Sequence, residues 1–145
     1  MNIQIIKRAY FNREFFDLNE PEGVLVTIHG LLTNAAWNSY IIPIASSQGW
    51  VVAPFNYGYQ TPDILILKEK RKQILEQFRD WIFDVQQKYC TRTPLSLIAH
   101  SFGTYIIGAY LKGFDMAPVN FESIILTGSV LHEDFDWEIF AGKGV

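Results

Sequence analysis

Four short apolar runs divide the sequence, and the segments between them are too long to be hairpin turns. The runs are Val24–Ile28, Trp50–Phe55, Leu95–Ala99 and Ser123–Gly128. Runs of this length and composition are typical of strands buried on both faces of a sheet. Parallel strands need a long crossover connection, usually a helix, so this order predicts an α/β fold. We expect a three-layer α/β/α arrangement with a mostly parallel sheet.

The connecting segments carry helix signals. Thr33 and Asn34 are suitable N-caps for a helix that runs to about Ser47, where Gly49 closes it. Thr61-Pro62-Asp63 begins a second helix, because it combines a cap, a proline in the first turn and an acid at the positive end of the dipole. The later part of that helix repeats apolar residues at spacings of three and four, which predicts a core-facing stripe: Ile74, Phe78, Trp81, Ile82, Val85 and Tyr89.

Two further elements complete the expected secondary structure. A third helix is predicted over Gly103–Lys112, with Gly113 as its C-cap. The segment Asn2–Phe11 is expected to form an opening strand. The basic cluster at Lys68, Lys70, Arg71 and Lys72 is interpreted as a solvated helix face.

Composition excludes several classes of function. The chain has 145 residues, 49% of them hydrophobic, and a net charge of −3, so we expect one folded domain over residues 1–145 and no nucleic-acid partner. No apolar run reaches the length of a membrane span, and the N-terminus does not read as a signal peptide, so the predicted location is cytoplasmic. The single cysteine, Cys90, excludes an internal disulfide. Three scattered histidines and the lack of a Gly-x-Gly-x-x-Gly motif predict neither a metal nor a cofactor.

The third apolar run leads directly into Ala99-His100-Ser101-Phe102-Gly103 and then into a helix. A sharp turn between strand and helix would lift Ser101 to the edge of the sheet. The residues two before and two after it must be small, as Ala99 and Gly103 are. This pattern resembles the nucleophile elbow of the α/β-hydrolase family, with alanine at position 99 where glycine is usual. The resemblance implies that Ser101 is a catalytic nucleophile.

A second motif follows the first apolar run. His29-Gly30-Leu31-Leu32, with Trp37 a few residues on, is similar to the His-Gly segment of the same family. The resemblance implies that the backbone N–H groups of Leu31 and Phe102 form an oxyanion hole. It also implies a structural role for His29, while Gly30 allows close approach of the backbone. With both motifs in the family's order, the resemblance extends over residues 24–128, the N-terminal portion of that fold.

The remaining members of a catalytic triad are harder to place. A serine nucleophile needs a histidine as base and an acid that orients it, and in this family both follow the serine. The only histidine after Ser101 is His132, which we interpret as a polar loop residue in preference to a base. Asp134 or Asp136 is a candidate acid. We therefore expect the domain to be truncated relative to an intact hydrolase, or to be completed by a second chain.

Three functions remain open at this point. The first is a serine hydrolase for small-molecule carboxylic esters or thioesters, which acts through a Ser101 acyl-enzyme and accepts an apolar acyl group. Aromatic and apolar residues near the motifs could line its pocket: Leu32, Trp37, Tyr57, Tyr59 and Phe102. The second is a non-catalytic module that binds an apolar ligand or a protein partner. The third is an interaction protein that forms a homodimer through the apolar patch Ile64–Leu67.

Overall fold

The computed structural model describes residues 9–12, 20–33, 35–89, 93–113 and 119–138. It confirms the four predicted strands, each within two residues of its expected ends. They are β1 (Gly23–Ile28), β2 (Trp50–Phe55), β3 (Leu95–His100) and β4 (Ser123–Thr127). The strands are all parallel and lie in the order β2-β1-β3-β4.

The register of the sheet brings the carboxyl ends of the strands together. Ile28 at the end of β1 lies opposite Phe55 of β2 and Ala99 of β3. The segments that leave these three strands therefore begin side by side at one edge of the sheet. In open α/β sheets this edge is where ligands bind.

Helices cover both faces of the sheet, as the three-layer prediction requires. They are α1 (Asn38–Ser47), α2 (Lys68–Tyr89) and α3 (Phe102–Gly113). On one face, the hydroxyl of Thr27 donates a hydrogen bond of 2.9 Å to Oδ1 of Asn38, at the start of α1. On the other face, Phe55 packs against Phe78 and Trp81 of α2. The predicted apolar stripe of α2 is confirmed, since five of its six residues are buried and Tyr89 is half-buried.

The first helix begins later than its N-cap signals predict. Leu32 and Ala35 have φ values of 54° and 58°, in the left-handed region that a right-handed helix excludes. The chain therefore turns before Asn38, where α1 begins. Asn34 lies outside the described residues. The expected closure at Gly49 is confirmed, because this glycine takes φ 83° directly after the helix.

The second helix is also interrupted at its start. Thr61-Pro62-Asp63 begins only a four-residue 3-10 turn, Pro62–Leu65, and α2 starts at Lys68. Arg71 reaches back from α2, and its guanidinium donates to the carbonyl oxygens of Ile64 and Leu65. These carbonyls are satisfied by a side chain, so the turn does not need to continue as a helix.

The apolar patch predicted at Ile64–Leu67 is only partly at the surface. Ile64 is fully buried, whereas Leu65, Ile66 and Leu67 are exposed. Ile64 is thus part of the core and is not available for dimer formation. None of the described helices is long and apolar enough to cross a membrane. Of the predicted opening strand, residues 2–8 lie outside the described part, and Tyr10 forms an antiparallel bridge with Val52.

Candidate active site

Ser101 lies alone between a strand and a helix. β3 ends at His100, α3 begins at Phe102, and Ser101 has a φ of 52°. Its backbone N–H donates to the carbonyl of Thr127 at 3.0 Å, and its own carbonyl accepts from the backbone N–H of Thr104 at 2.9 Å. The left-handed backbone is therefore held from both sides, and it carries the half-buried serine side chain at the carboxyl edge of the sheet.

The hydroxyl of Thr104 adds a second tie to the same turn. It donates to the carbonyl of Ser101 at 2.7 Å and accepts from the backbone N–H of Val130 at 3.0 Å. Thr104 is fully buried. One side chain thus joins the turn at Ser101 to the segment that follows β4.

A contact between main chains requires the glycine at position 103. A Cβ at this position would lie 2.6 Å from the carbonyl oxygen of Ile28 and 2.9 Å from that of His29. Both atoms belong to the backbone at the end of β1, which cannot move aside easily. The expectation that this position must be small is confirmed, and the reason is the close packing of α3 against β1.

The two sequence motifs meet at Gly30 and Ser101. A Cβ at position 30 would lie 2.8 Å from the Cβ of Ser101 and 3.2 Å from its Oγ. Gly30 is therefore in direct contact with the serine side chain, although the motifs are far apart in the sequence. The loop 29–32 consequently forms one wall beside Ser101.

His29 is part of the support of that loop. It is 1% exposed, its Nδ1 donates to the carbonyl of Gly30 at 2.9 Å, and its ring stacks on that of Tyr57 at a centroid distance of 4.1 Å. Burial lowers the pKa of His29, and this effect exceeds the opposing influence of the Gly30 carbonyl and the neighbouring Asn56 side chain. A neutral, enclosed imidazole of this kind is suited to holding the loop.

Two backbone N–H groups near Ser101 have no hydrogen-bond acceptor within the described residues. Phe102 is the first residue of α3, so its N–H has no intrahelical acceptor. Among the residues that the structure describes, the N–H of Leu31 has no hydrogen-bond acceptor, whereas that of Leu32 donates to the carbonyl of Gln60 at 3.0 Å. The helix N-terminus adds a positive partial charge on the same side as the serine.

His100 is directed toward β4. Its side chain is exposed, and its Nδ1 lies 3.1 Å from the hydroxyl oxygen of Thr127. The His100 side chain is thus hydrogen-bonded on the β4 side of the strand end. In the described part of the chain, no side chain is hydrogen-bonded to the Oγ of Ser101.

His132 lies on the segment after β4, which runs alongside α3 from the first turn of that helix toward its C-terminal half. The backbone N–H of Val130 binds Thr104 in the first turn of α3, and Leu131 and Phe135 pack against Gly108 further along it. His132 donates to Asp134 at 2.5 Å, with both side chains more than three-quarters exposed. The remaining candidate acid, Asp136, accepts from the backbone N–H of Glu138. Within the described residues, His132 is paired with Asp134, and no hydrogen bond links either of them or Asp136 to Ser101.

The predicted pocket residues fall into three groups. Tyr57 and Phe102 are buried, at 0% and 2% exposure, so their side chains belong to the core. Leu32, within the loop 29–32, and Tyr59, which precedes the residue that binds the Leu32 N–H, are each 56% exposed. Trp37 borders an apolar groove of about 500 Å³ on the α1 face of the sheet, which is also lined by Ile98, Ile125 and His100, the residue before Ser101.

Sequence reasoning did not find the roles of Thr104 and Tyr57. Thr104 follows Ser101 by one helical turn, and this spacing is the local signal that its hydroxyl can reach the serine carbonyl. Tyr57 lies just beyond β2, which places it at the functional edge. Its direction into the core is set by contacts with the loop after β1 and has no signal in the local sequence. No group of three potential metal ligands occurs among the described residues.

Comparisons with solved structures identify the fold. A lipase in its open form matches at 17% identity and a TM-score of 0.65, over 95% of this chain and 46% of that one. A thermostable carboxyl esterase from Bacillus coagulans matches at 17% identity and 0.60, over 87% and 44%. A thioesterase domain from the curacin biosynthetic pathway matches at 19% identity and 0.50, over 90% and 48%. No protein-family model and no curated protein sequence matches the chain.

The chain has the fold of the α/β-hydrolases. It spans less than half the length of each of these three solved structures. At such low identities the likeness establishes the fold, and the chemistry has to be argued from the residues around Ser101.

Proposed function

We propose that this chain carries the nucleophile and the oxyanion hole of a serine hydrolase that acts on carboxylic esters or thioesters. The observation that carries the proposal is the contact of Gly30 with Ser101, made where a left-handed turn presents the serine at a helix N-terminus. The solved structures that share the fold include a lipase, a carboxyl esterase and a thioesterase domain. We propose the same class of substrate here.

The proposed chemistry is acyl transfer. The Oγ of Ser101 attacks the carbonyl carbon while a base takes its proton, and the carbonyl oxygen becomes an oxyanion. The N–H groups of Leu31 and Phe102 stabilise that charge. Collapse of the intermediate expels the alcohol or thiol with a proton and leaves an acyl-enzyme, which water then hydrolyses to the acid and free Ser101. The exposed side chains of Leu32 and Tyr59 favour an apolar acyl group.

The base and the acid remain to be assigned. We propose that polypeptide outside these 145 residues supplies the histidine, and that the acid either comes from the same polypeptide or is Asp134 or Asp136. This is because His29 is enclosed, His100 faces β4, and His132 is paired with Asp134 at the surface. His132 with Asp134 or Asp136 stays a weaker candidate pair within the chain. A homodimer and a cytoplasmic location also remain predictions.

A non-catalytic binding module is the second candidate function. The observation that favours it is that no described side chain is hydrogen-bonded to the Oγ of Ser101. An unassisted serine hydroxyl is a weak nucleophile, and a module that only binds an apolar ligand needs no base.

Labelling with a fluorophosphonate, measured by intact-protein mass spectrometry, distinguishes a serine hydrolase from a non-catalytic binding module. We expect slow labelling of the purified chain at Ser101, because triad-deficient hydrolases retain roughly 10³-fold acceleration over water. Added imidazole should speed the reaction in proportion to its neutral form, since it can take the serine proton. Ser101→Ala should abolish labelling, whereas Ser47→Ala, at an exposed serine of α1, should label like the wild type.

Two other outcomes would change the assignment. Fast labelling without imidazole that is lost in His132→Gln would make His132 the base. Absence of labelling at every imidazole concentration, in a chain that is folded by circular dichroism, would reject the hydrolase in favour of the binding module.

A further inference from the structure

We infer that Tyr57 is a positioning residue that fixes the direction in which the Leu31 N–H points. The inference rests on the proposed function, because it assigns a purpose to the Leu31 N–H beside Ser101. It concerns a residue whose ring lies in the core and which makes no contact with substrate in the proposed chemistry.

The phenol of Tyr57 holds two successive carbonyl groups. Its hydroxyl lies 2.6 Å from the carbonyl oxygen of His29 and 3.1 Å from that of Gly30. The Gly30 oxygen also accepts from Nδ1 of His29 at 2.9 Å. The single proton of the Tyr57 hydroxyl is shared between the two carbonyl oxygens and lies closer to that of His29. The Gly30 carbonyl is therefore held toward the interior by the Nδ1–H of His29 together with the longer branch from Tyr57.

The direction of that carbonyl determines the direction of the next N–H group. The peptide unit between Gly30 and Leu31 is planar and trans, so its N–H points opposite to its C=O. A Gly30 carbonyl that is held toward Tyr57 leaves the Leu31 N–H facing away from Tyr57. Gly30 has no side chain to resist rotation of this peptide unit, so a bond from another residue has to fix it.

Tyr57 also supports the far side of Leu31. The carbonyl of Tyr57 accepts from the side-chain amide of Gln60 at 2.9 Å, and the carbonyl of Gln60 accepts from the N–H of Leu32 at 3.0 Å. Leu31 thus lies between Gly30, whose carbonyl is bonded to the Tyr57 phenol, and Leu32, whose N–H is bonded to Gln60. Its N–H is left without an acceptor among the described residues, as an oxyanion donor requires.

The phenol is well suited to a permanent role as donor. Tyr57 is fully buried, and its ring is stacked on the His29 ring in a nearly parallel arrangement, with an interplanar angle of 3°. Burial raises the pKa of Tyr57 well above its ordinary value. The hydroxyl therefore keeps its proton over the pH range in which a hydrolase is assayed.

The test compares Tyr57→Phe with Tyr110→Phe, an equally buried tyrosine whose ring packs in the core against Phe78 and Phe121. Tyr57→Phe keeps the stacked ring and removes the hydroxyl. We expect the fluorophosphonate labelling rate at Ser101, measured with imidazole, to fall about tenfold or more, below the 10²–10³-fold loss of a deleted oxyanion donor. Tyr110→Phe should change that rate less than twofold.

Hydrogen exchange at the Leu32 amide, followed by NMR, gives a readout that does not depend on labelling. Its exchange should accelerate at least tenfold in Tyr57→Phe and remain unchanged in Tyr110→Phe when the variants are compared at equal global stability. Gln60→Met, which loses only the bond to the Tyr57 carbonyl, should shift both readouts in the same direction by a smaller factor. If Tyr57→Phe does not fold, Gln60→Met tests the support that the Tyr57 carbonyl gives to Leu32, and two unchanged readouts would overturn that part of the inference.

The outcomes separate this inference from the proposed function. If the wild type is never labelled, the hydrolase proposal fails, and accelerated Leu32 exchange would still establish that Tyr57 holds the loop. If labelling occurs and Tyr57→Phe matches Tyr110→Phe in both readouts, the hydrolase proposal stands and the role of Tyr57 is overturned.

Discussion

The Cα of Gly30 lies against the side chain of Ser101, so closely that a Cβ at position 30 would be 2.8 Å from the serine Cβ. Neither partner can easily move. The turn at Ser101 is held through Thr104 and Thr127, and the carbonyl of Gly30 is held by Tyr57 and His29. The contact therefore sets the distance between the loop after β1 and the serine side chain.

Gly30→Ala should displace that loop or the serine. We expect the labelling rate at Ser101 to fall at least tenfold and the free energy of unfolding to decrease by about 1–3 kcal/mol, as overpacking does in well-filled sites. The matched control is Gly113→Ala, where a new Cβ meets no atom within 4 Å. Labelling kinetics and urea denaturation check both variants, and equal behaviour of the two would show that the contact at Gly30 is unimportant.

Ser101 is in a conformation that favours glycine. At φ 52° a residue with a Cβ is strained by about 1–2 kcal/mol, and glycine is not. We expect Ser101→Gly to be about 1 kcal/mol more stable than Ser101→Ala, after the extra entropy of glycine in the unfolded chain is included. Neither variant should be labelled. Urea denaturation provides the comparison, and an alanine variant as stable as the glycine variant would mean that the turn is not strained.

His29 should make stability depend on pH. Burial lowers its pKa in the folded protein below the ordinary value of 6.5, so the unfolded chain binds the proton more readily. The contribution of the neutral His29 ring to the free energy of unfolding is fully present above pH 6.5. It is lost as the pH falls below 6.5 toward the folded-state pKa.

The measurement is the free energy of unfolding between pH 7.5 and pH 5.5, at buffer points chosen to span about one unit on either side of the ordinary histidine pKa. In the wild type we expect the free energy of unfolding to decrease as the pH falls over this range, and His29→Gln should make that decrease smaller. His132→Gln removes an exposed histidine and should leave the decrease in place. A decrease that persists in His29→Gln would assign the pH dependence to another group.

Thr104 should stabilise the junction between the serine turn and the segment after β4. Thr104→Val keeps the shape of the side chain and leaves the N–H of Val130 without its acceptor. The Thr104 hydroxyl makes two hydrogen bonds, to the Ser101 carbonyl and from the Val130 N–H, and each contributes about 0.5–1.5 kcal/mol to stability. We therefore expect a loss of about 1–3 kcal/mol in urea denaturation. Thr127→Val, the same change at an exposed position, should cost less. Equal losses in the two variants would argue against a special role for Thr104.

The strands could be predicted from the sequence because their signal is local. Each of the four apolar runs became a strand with nearly the expected ends, and the stripe of α2 is in the core. The helix starts were less predictable. Thr33 resembles an N-cap, and its hydroxyl does accept the N–H of Ala35, but two left-handed residues delay α1 until Asn38. Local capping preference was overridden by the path that the loop takes beside Ser101.

The sequence by itself determined the order of strands and helices, the position of Ser101 between them, and the need for small residues near it. The order of elements and the position of Ser101 follow from hydrophobic period, which acts between near neighbours in the chain. The need for a small residue at position 103 was visible in the motif, but its physical cause is the packing of α3 against β1. Only the tertiary structure decided that Gly30 touches Ser101, that Tyr57 turns inward to hold two carbonyl groups, and that the segment bearing His132 follows α3. Each of these depends on backbone directions that are set by residues distant in the sequence, and no local pattern specifies them.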